Sequence, residues 1–334
     1  MGLDAETYKR MLSPWLPPVI WDCHVHIGLP EHAGPISPAR YKEIWALEVA
    51  SSFSWTQMRD AYRLLFPDKQ VNTLAFGWVY REMDIARNNA YVLDGIRDPA
   101  NRSKGLAVTK PEWSAADVER LLDDGFVGIK PYPDLSPQCT NEVSVFDFLP
   151  HSHLRIVDDR SGVLMLHLPR RGRLADADNI REVLEINDRY PRIKLAVAHI
   201  GRAYCLPTAE RGLPHFADRP GIYFDTAANL NPDVFAYALE VVGPERILYG
   251  SDLPVTLMRG MREHVGERYI NYTDGDYSWN TDRKSPEEEA KYTYYLYGEL
   301  LALKKAIEKA GLGADAVQKI MCGNCARILG QEEC

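Results

Sequence analysis

The sequence predicts an α/β fold: a (β/α)8 TIM barrel with a long loop or lid insertion after its eighth strand. Three observations lead there. Short apolar runs alternate eight times with segments of helical period, from one end of the chain to the other. No linker rich in Gly, Ser or Pro divides the chain, and no internal repeat or low-complexity tract interrupts the alternation. The length, 334 residues, is long for most single domains but suits a barrel built on one large core. A single domain over 1–334 is expected, with 254–285 as a lid-like insertion.

The elements follow in order. The first strand is 19–27, and 37–66 reads as mostly helical, Ser37-Pro38 supplying a cap and first turn. Strand two is 71–78, backed by a charged helix near 81–98; strand three is 104–109, with a helix at 114–123 ended by Gly125. Strand four, 126–130, runs into a polar, proline-bearing excursion over 131–142 and a helix near 145–160. Strand five is 162–167 with its helix at 178–190; strands six and seven are 193–199 and 221–226. A helix at 231–242 leads to strand eight, 246–251. The stretch 253–286 is too long for an ordinary connection, and its aromatic residues, Trp279 among them, favour an ordered lid. An amphipathic helix over 314–329 closes the chain.

Composition removes several classes of function. With 39 Lys and Arg against 47 Asp and Glu, the net charge of -8 argues against nucleic acid, whose phosphates call for a basic face. No apolar run approaches the roughly 20 residues of a membrane helix. The N-terminal residues carry no apolar signal core, and Glu6 stands where a myristoylation site needs Ser or Thr, so a cytoplasmic location is expected. Six cysteines in a chain this long do not make a disulfide scaffold. Cys322 and Cys325 form a Cys-x-x-Cys, but within the closing helix and with no second pair to complete a zinc site. Gly311-Leu-Gly313 is a turn between helices, since it follows no strand and lacks a dinucleotide loop's third glycine.

The first strand carries the strongest chemical signal. It reads Val-Ile-Trp-Asp-Cys-His-Val-His-Ile, and strand alternation sets Asp22, His24 and His26 on one face. Taken alone, the pair is either two metal ligands or two hydrogen-bonded core histidines. Four further strands also end on a polar residue able to bind a ligand: Lys130, His167, His199 and Asp252. A barrel hands over to its catalytic face at those ends, which tips the balance toward a functional cluster.

Other candidates stay open or rank lower. Arg170, Arg171, Arg173 and Arg202 follow strands five and six; they either meet an anionic substrate group or pair with Asp176, Asp178 or Glu210. Arg259 and Arg262 in the insertion share that ambiguity. Asp225, ending strand seven, either faces the site or bonds toward the helices. His151 and His153 fit surface positions on a helix. His32, His215 and His264 fall in loops, with His264 a possible lid contact, and Tyr292, Tyr295 and Leu296 have core or interface spacing.

Taken together the chain resembles the amidohydrolase superfamily, in its amidohydrolase-related branch of metal-dependent hydrolases and decarboxylases. The pieces that match are the Asp22-x-His24-x-His26 opening, Gly128-Ile-Lys130, Asp147-Phe-Leu-Pro150, His167, His199-Ile-Gly201, Gly250-Ser-Asp252 and Gly323-Asn-Cys-Ala-Arg327. The resemblance implies His24, His26, His167 and Asp252 as metal ligands, and His199 as a further ligand or the group that polarises substrate. It implies one divalent ion, zinc first, with manganese or another first-row metal as alternatives. Asp252 would move the proton of a metal-activated water, and Asp22 would anchor a ligand rather than be one. In part of the superfamily a fourth-strand lysine is carboxylated and bridges two metals; here Lys130 is expected as a charge beside substrate, a surface or structural lysine being the alternative. The branch pattern continues Leu-His-Pro after that lysine, whereas Pro131-Tyr132 precede Pro133 in this chain.

The function so implied is hydrolysis of a small, carboxylate-bearing ester, lactone or amide, with Arg170, Arg202 and Lys130 as substrate contacts and Asp252 and His199 as catalytic groups. A metal-dependent decarboxylase is the alternative, and a barrel that only binds is the third reading. A homodimer is the commonest default for such a protein.

Overall fold

A computed structural model describes residues 2–138 and 140–331. Eight parallel strands pair in sequence order: β1 (Val19–Ile27), β2 (Gln70–Gly77), β3 (Ser103–Val108), β4 (Gly128–Lys130), β5 (Val163–Leu166), β6 (Lys194–Val197), β7 (Ile222–Asp225) and β8 (Ile247–Leu248). Between β8 and β1 the sheet closes through single contacts that continue past the end of β8. Cys23 N–H donates to Tyr249 O at 2.9 Å and His26 N–H to Leu253 O at 2.9 Å, beside a parallel bridge between Val25 and Leu253. The result is a (β/α)8 barrel, as the alternation of elements predicts.

Helices pack outside the barrel, and several start where a side chain accepts the first free backbone N–H groups. Ser54 accepts from Gln57 N–H at 3.2 Å while the Gln57 amide returns to Ser54 N–H at 2.8 Å, a reciprocal cap that opens the helix Trp55–Leu65. Ser114 caps a later helix reciprocally with Asp117, and Asp84, Asp176 and Asn231 cap others from the side chain alone. The apolar faces of helices and strands merge into one continuous core. Among the described residues no helix is long and apolar enough to cross a membrane.

The stretch 37–66 is mostly helical, as expected, in three helices, Pro38–Glu43, Trp45–Val49 and Trp55–Leu65, the last two separated where Phe53 pairs with Gly28 at the end of β1 through two backbone bonds of 2.9 and 2.8 Å. Two other expectations are corrected. The segment after strand eight is folded rather than a loop. β9 (Arg259–Val265) and β10 (Arg268–Thr273) make an antiparallel hairpin turned at Gly266, φ 59°, and β11 (Thr293–Tyr294) pairs with the other side of β9. Finally, His153, expected at the surface, is fully buried with Nε2 2.8 Å from Trp113 O. The closing helix is present but passes through a π-helical stretch, Lys319–Gly323, and Cys325 in it is a buried free thiol.

Candidate metal centre and substrate cavity

The seam that closes the barrel also assembles the cluster. His24, His26 and Asp252 offer ligand atoms that all lie within 4.8 Å of one another, all from β1 and the turn after β8. Asp252 Oδ1 is 3.6 Å from His24 Nε2 and 3.5 Å from His26 Nε2. The backbone holds these groups in register: Asp252 N–H donates to His24 O at 2.9 Å. Gly250 is required at this approach, because a Cβ there would lie 2.8 Å from His24 Cβ.

Asp252 and His199 both sit in the left-handed region, at φ 60° and 58°. Such a conformation is unfavourable for a side chain larger than glycine by about 1 kcal/mol or more. It persists because the backbone N–H of each is committed, that of His199 to Asp225 Oδ1 at 2.6 Å.

Asp225 is the organiser the sequence left undecided. Its other oxygen, Oδ2, lies 2.9 Å from His24 Nδ1, and Oδ1 also accepts Ala227 N–H at 3.1 Å. A carboxylate can only accept there, so His24 carries its proton on Nδ1 and leaves Nε2 as a lone pair facing Asp252 and His26. His199 is fixed likewise, Nδ1 lying 2.8 Å from Ala227 O, which frees its Nε2. Asp22, by contrast, holds backbone and not imidazole. Its carboxyl accepts Ser251 N–H at 2.8 Å, His24 N–H at 3.2 Å and the Tyr62 hydroxyl at 2.9 Å.

The electrostatics suit a cation. Burial, reinforced by Lys130 and His199, holds His24 well below the usual imidazole range; burial together with Arg202 does the same to His167. Both rings therefore keep lone pairs at neutral pH. Burial would lift the Asp252 carboxyl, but the hydrogen bond from His26 and the neighbouring His199 and His24 rings bring it down to about 2. Two neutral imidazole nitrogens and a carboxylate oxygen form a donor set fitted to zinc or manganese, and burial of the cluster removes competing water.

A cavity of about 320 Å³ opens above this cluster. Of the residues expected at the site, His24, His26, His167, His199, Arg202 and Asp252 line it. His167 stands outside the trio, its ring 5.3 Å from that of His199 and 4.6 Å from that of Tyr132. Two expected substrate contacts are not among the lining residues. Arg170 turns away: its guanidinium grips Glu182 through two bonds of 2.9 and 3.0 Å and also Asn179, so its charge is already matched, by a partner other than those foreseen. Lys130 is fully buried, with Nζ 4.7 Å over the Phe76 ring and no hydrogen-bond partner among the described residues, and burial pushes its ammonium down to about 8.

Several wall residues were not singled out from sequence. Trp78 stacks on His26 at 4.9 Å and 18°, and Tyr132 occupies the place where the family pattern has histidine. Trp45, Tyr204 and Tyr269 complete an aromatic wall, with Arg262 beside them. The sequence marks Arg262 as a candidate anion contact and Tyr132 as a departure from the family pattern, but gives no sign of Trp45, Trp78 or Tyr204.

Comparison with known proteins follows the same lines. A family model described as Amidohydrolase matches residues 21–331. No curated protein matches the sequence. Among solved structures, a Burkholderia multivorans amidohydrolase with bound zinc aligns at TM-score 0.60 and 15% identity, over 94% of this chain and 100% of that one. A dihydroxybenzoic acid decarboxylase from Polaromonas sp. JS666, with manganese and 2-nitroresorcinol, aligns at 0.54 and 14%, over 94% and 97%. An Acinetobacter baumannii protein named for 2-pyrone-4,6-dicarboxylic acid hydrolysis, with citric acid bound, aligns at 0.55 and 15%, over 93% and 99%. At these identities the likeness is one of fold.

Proposed function

From the chain's membership of the amidohydrolase family, matched over residues 21–331, we propose that it is a metal-dependent hydrolase of a small ester, lactone or amide bearing a carboxylate. The observation that carries this reading is the convergence of His24, His26 and Asp252 on one point at the floor of a cavity. His24, His26 and Asp252 would hold a divalent ion, zinc first, with His167 the further ligand implied by the family pattern. When bound, the ion supplies Lewis acidity, lowering the pKa of water toward about 7 and polarising a substrate oxygen.

The residues of the chain do the rest. Asp252 receives the proton of the attacking water on its carboxylate and returns it to the leaving group. His199, whose Nδ1 is tied to Ala227 O, presents Nε2 to the cavity beside the oxygen that gains charge. Asp225 keeps His24 and His199 in position from behind. Arg202, on the cavity wall, takes the substrate's carboxylate. Residues 254–285 act as a lid, and Lys130 contributes positive charge beneath the site.

A second reading, decarboxylation, has its own support in the wall formed by Trp45, Trp78, Tyr132, Tyr204 and Tyr269, which suits a planar aromatic acid. One experiment separates the two. Purified protein is assayed for metal by elemental analysis and then supplied with lactones, esters and hydroxylated aromatic carboxylates, with acid release and carbon dioxide release measured in parallel. Acid release that disappears with a chelator and returns with zinc supports hydrolysis. Carbon dioxide release alone supports the second reading. A protein that takes up no divalent ion defeats both.

A further inference from the structure

Arg262 presents an electrostatic anomaly. Its side chain is only 8% exposed, yet it lines the cavity. Nε donates to Asn271 Oδ1 at 2.8 Å and Nη1 to Ala228 O at 2.7 Å, both neutral acceptors. Nη2 has no acceptor among the described residues, and no carboxylate there pairs with the guanidinium. Burying a cation without a counter-charge is strongly unfavourable. The contrast with Arg170, matched by Glu182, and Arg259, which bonds Asp4, is direct.

The surroundings hold the group ready. Its Cζ lies 4.7 Å from the centroids of both Tyr204 and Tyr269, so the planar fork is clamped between two ring systems. Asn271 faces Arg262 across the β9–β10 ladder, which fixes the side chain's exit from the hairpin. Arg202, also on the cavity wall, likewise donates, among the described residues, only to neutral acceptors, Leu168 O at 3.1 Å and Arg170 O at 3.3 Å. Two guanidinium groups without carboxylate partners thus share one small cavity with the metal cluster.

We propose that Arg262, with Arg202, forms an anion subsite, and that Arg262 is the specificity-determining contact for a carboxylate on the substrate distinct from the bond that reacts. The proposal rests on the hydrolase reading for the identity of the reaction but not for the binding of an anion. The unused N–H groups of Arg262 supply a fork for two parallel hydrogen bonds to the carboxylate oxygens, and the anion neutralises a charge that the fold leaves unmatched. Because β9 belongs to the segment after the eighth strand, this segment would decide which acids enter.

The test measures binding, so it stands apart from any assay of turnover. Zinc-loaded full-length protein is titrated with acetate, benzoate and 3-hydroxybenzoate, each against its neutral amide at matched ionic strength, following tryptophan fluorescence and thermal shift. In the unaltered protein at least one acid is expected to bind about tenfold tighter than its amide. Arg262→Gln should reduce that preference to about twofold or less with zinc content unchanged, while Arg171→Gln, at an exposed position, leaves it intact. Should Arg262→Gln fail to fold, Arg262→Lys, which keeps the charge but loses the fork, should fall between the two. Equal binding of acids and amides, no binding of either, or a preference that survives in the folded Arg262 variant overturns the proposal. Loss of turnover with the preference retained in the unaltered protein would count against the hydrolase reading alone.

Discussion

The floor of the cavity and its rim are built by opposite means. On the floor, three of the groups are held by backbone or by a buried carboxylate: Asp252 by His24 O, His24 by Asp225, His199 by Asp225 and Ala227 O. On the rim, aromatic contacts dominate. Trp279 meets Trp45 edge to face at 5.2 Å and stacks on Tyr277, while Ser278 bonds Glu48 at 2.8 Å, joining the segment after β8 to the helix Trp45–Val49. Hydrogen bonds to fixed backbone groups set atoms to within a few tenths of an ångström, as chemistry requires; aromatic contacts tolerate sliding. On the proposed function, the floor would carry the reaction and the rim the selection of substrate.

Removing a floor donor should break the protein's activity most. Asp252→Asn keeps the shape of the side chain but not its capacity to take a proton, and kcat/KM with the best substrate of the panel should fall by about 10³-fold, the middle of the range for general acid–base groups. A loss under tenfold would mean that Asp252 is not the proton carrier. Next in size, Asp225→Asn leaves His24 without its carboxylate partner, and zinc affinity measured by competition with a chelator should weaken by about 10- to 100-fold. If affinity is unchanged, Asp225 orients nothing.

An arginine already matched by a carboxylate sharpens the contrast with the rim. Arg170→Gln should reduce stability by about 2 kcal/mol, discounted because the guanidinium is partly exposed, and leave KM unaltered. Glu182 is held below its usual range, against burial, by its bonds to Arg170, Val145 N–H and Ser144. A depressed carboxyl stabilises the fold above its unfolded pKa of about 4.3, and that contribution is lost as pH falls through the lower folded value. The gap between the unaltered protein and the variant in urea melts should therefore be full at pH 7 and shrink in strong acid; a gap that grows as pH falls contradicts the ion pair.

Glu299 links floor and rim. It accepts the Thr226 hydroxyl at 2.8 Å and Ala228 N–H at 2.9 Å, steadying the turn whose carbonyls hold His199 and Arg262. Burial raises its carboxyl well above the normal range, which favours the neutral acid. Glu299→Leu should lower stability by about 1–2 kcal/mol and reduce kcat more than metal content, whereas Glu299→Gln, which can make both bonds, should restore both. Rescue failing in the Gln variant would show that charge, not shape, matters there. The smallest effect is expected at Trp279→Ala: a change of about twofold to fivefold in KM with kcat preserved, since only the rim's aromatic contact is lost. A fall in kcat alone would place Trp279 in the chemistry.

Much of the floor was legible from sequence because it depends on periodicity and position. The β1 bounds match the predicted ones, and His24, His26, His167, His199 and Asp252 all face the cavity from strand ends or the turns that follow them. Side chains two apart on a strand share a face, and a barrel's catalytic side is the end toward which its strands run. The partners of these residues were harder to see. Asp225 gave equal signals for two roles, and Asp22 was expected to support a ring but supports backbone instead. His153 looked like a surface helix residue because sequence spacing does not reveal which neighbouring carbonyl will receive it.

By itself the sequence determined the order of strands and helices, the closed barrel and the identity of the residues at its strand ends, since each follows from local side-chain pattern and the few ways parallel strands can close. Only the tertiary structure decided which charges were already matched. Arg170 and Arg262 are the same residue type near the same opening, but one meets Glu182 and the other does not, and nothing local to either position records that. Likewise the trio joins residues more than 220 positions apart, His24 and His26 with Asp252, because barrel closure lays the turn after the last strand against the first. Matching of charges depends on distances through space, and chain order carries no measure of them.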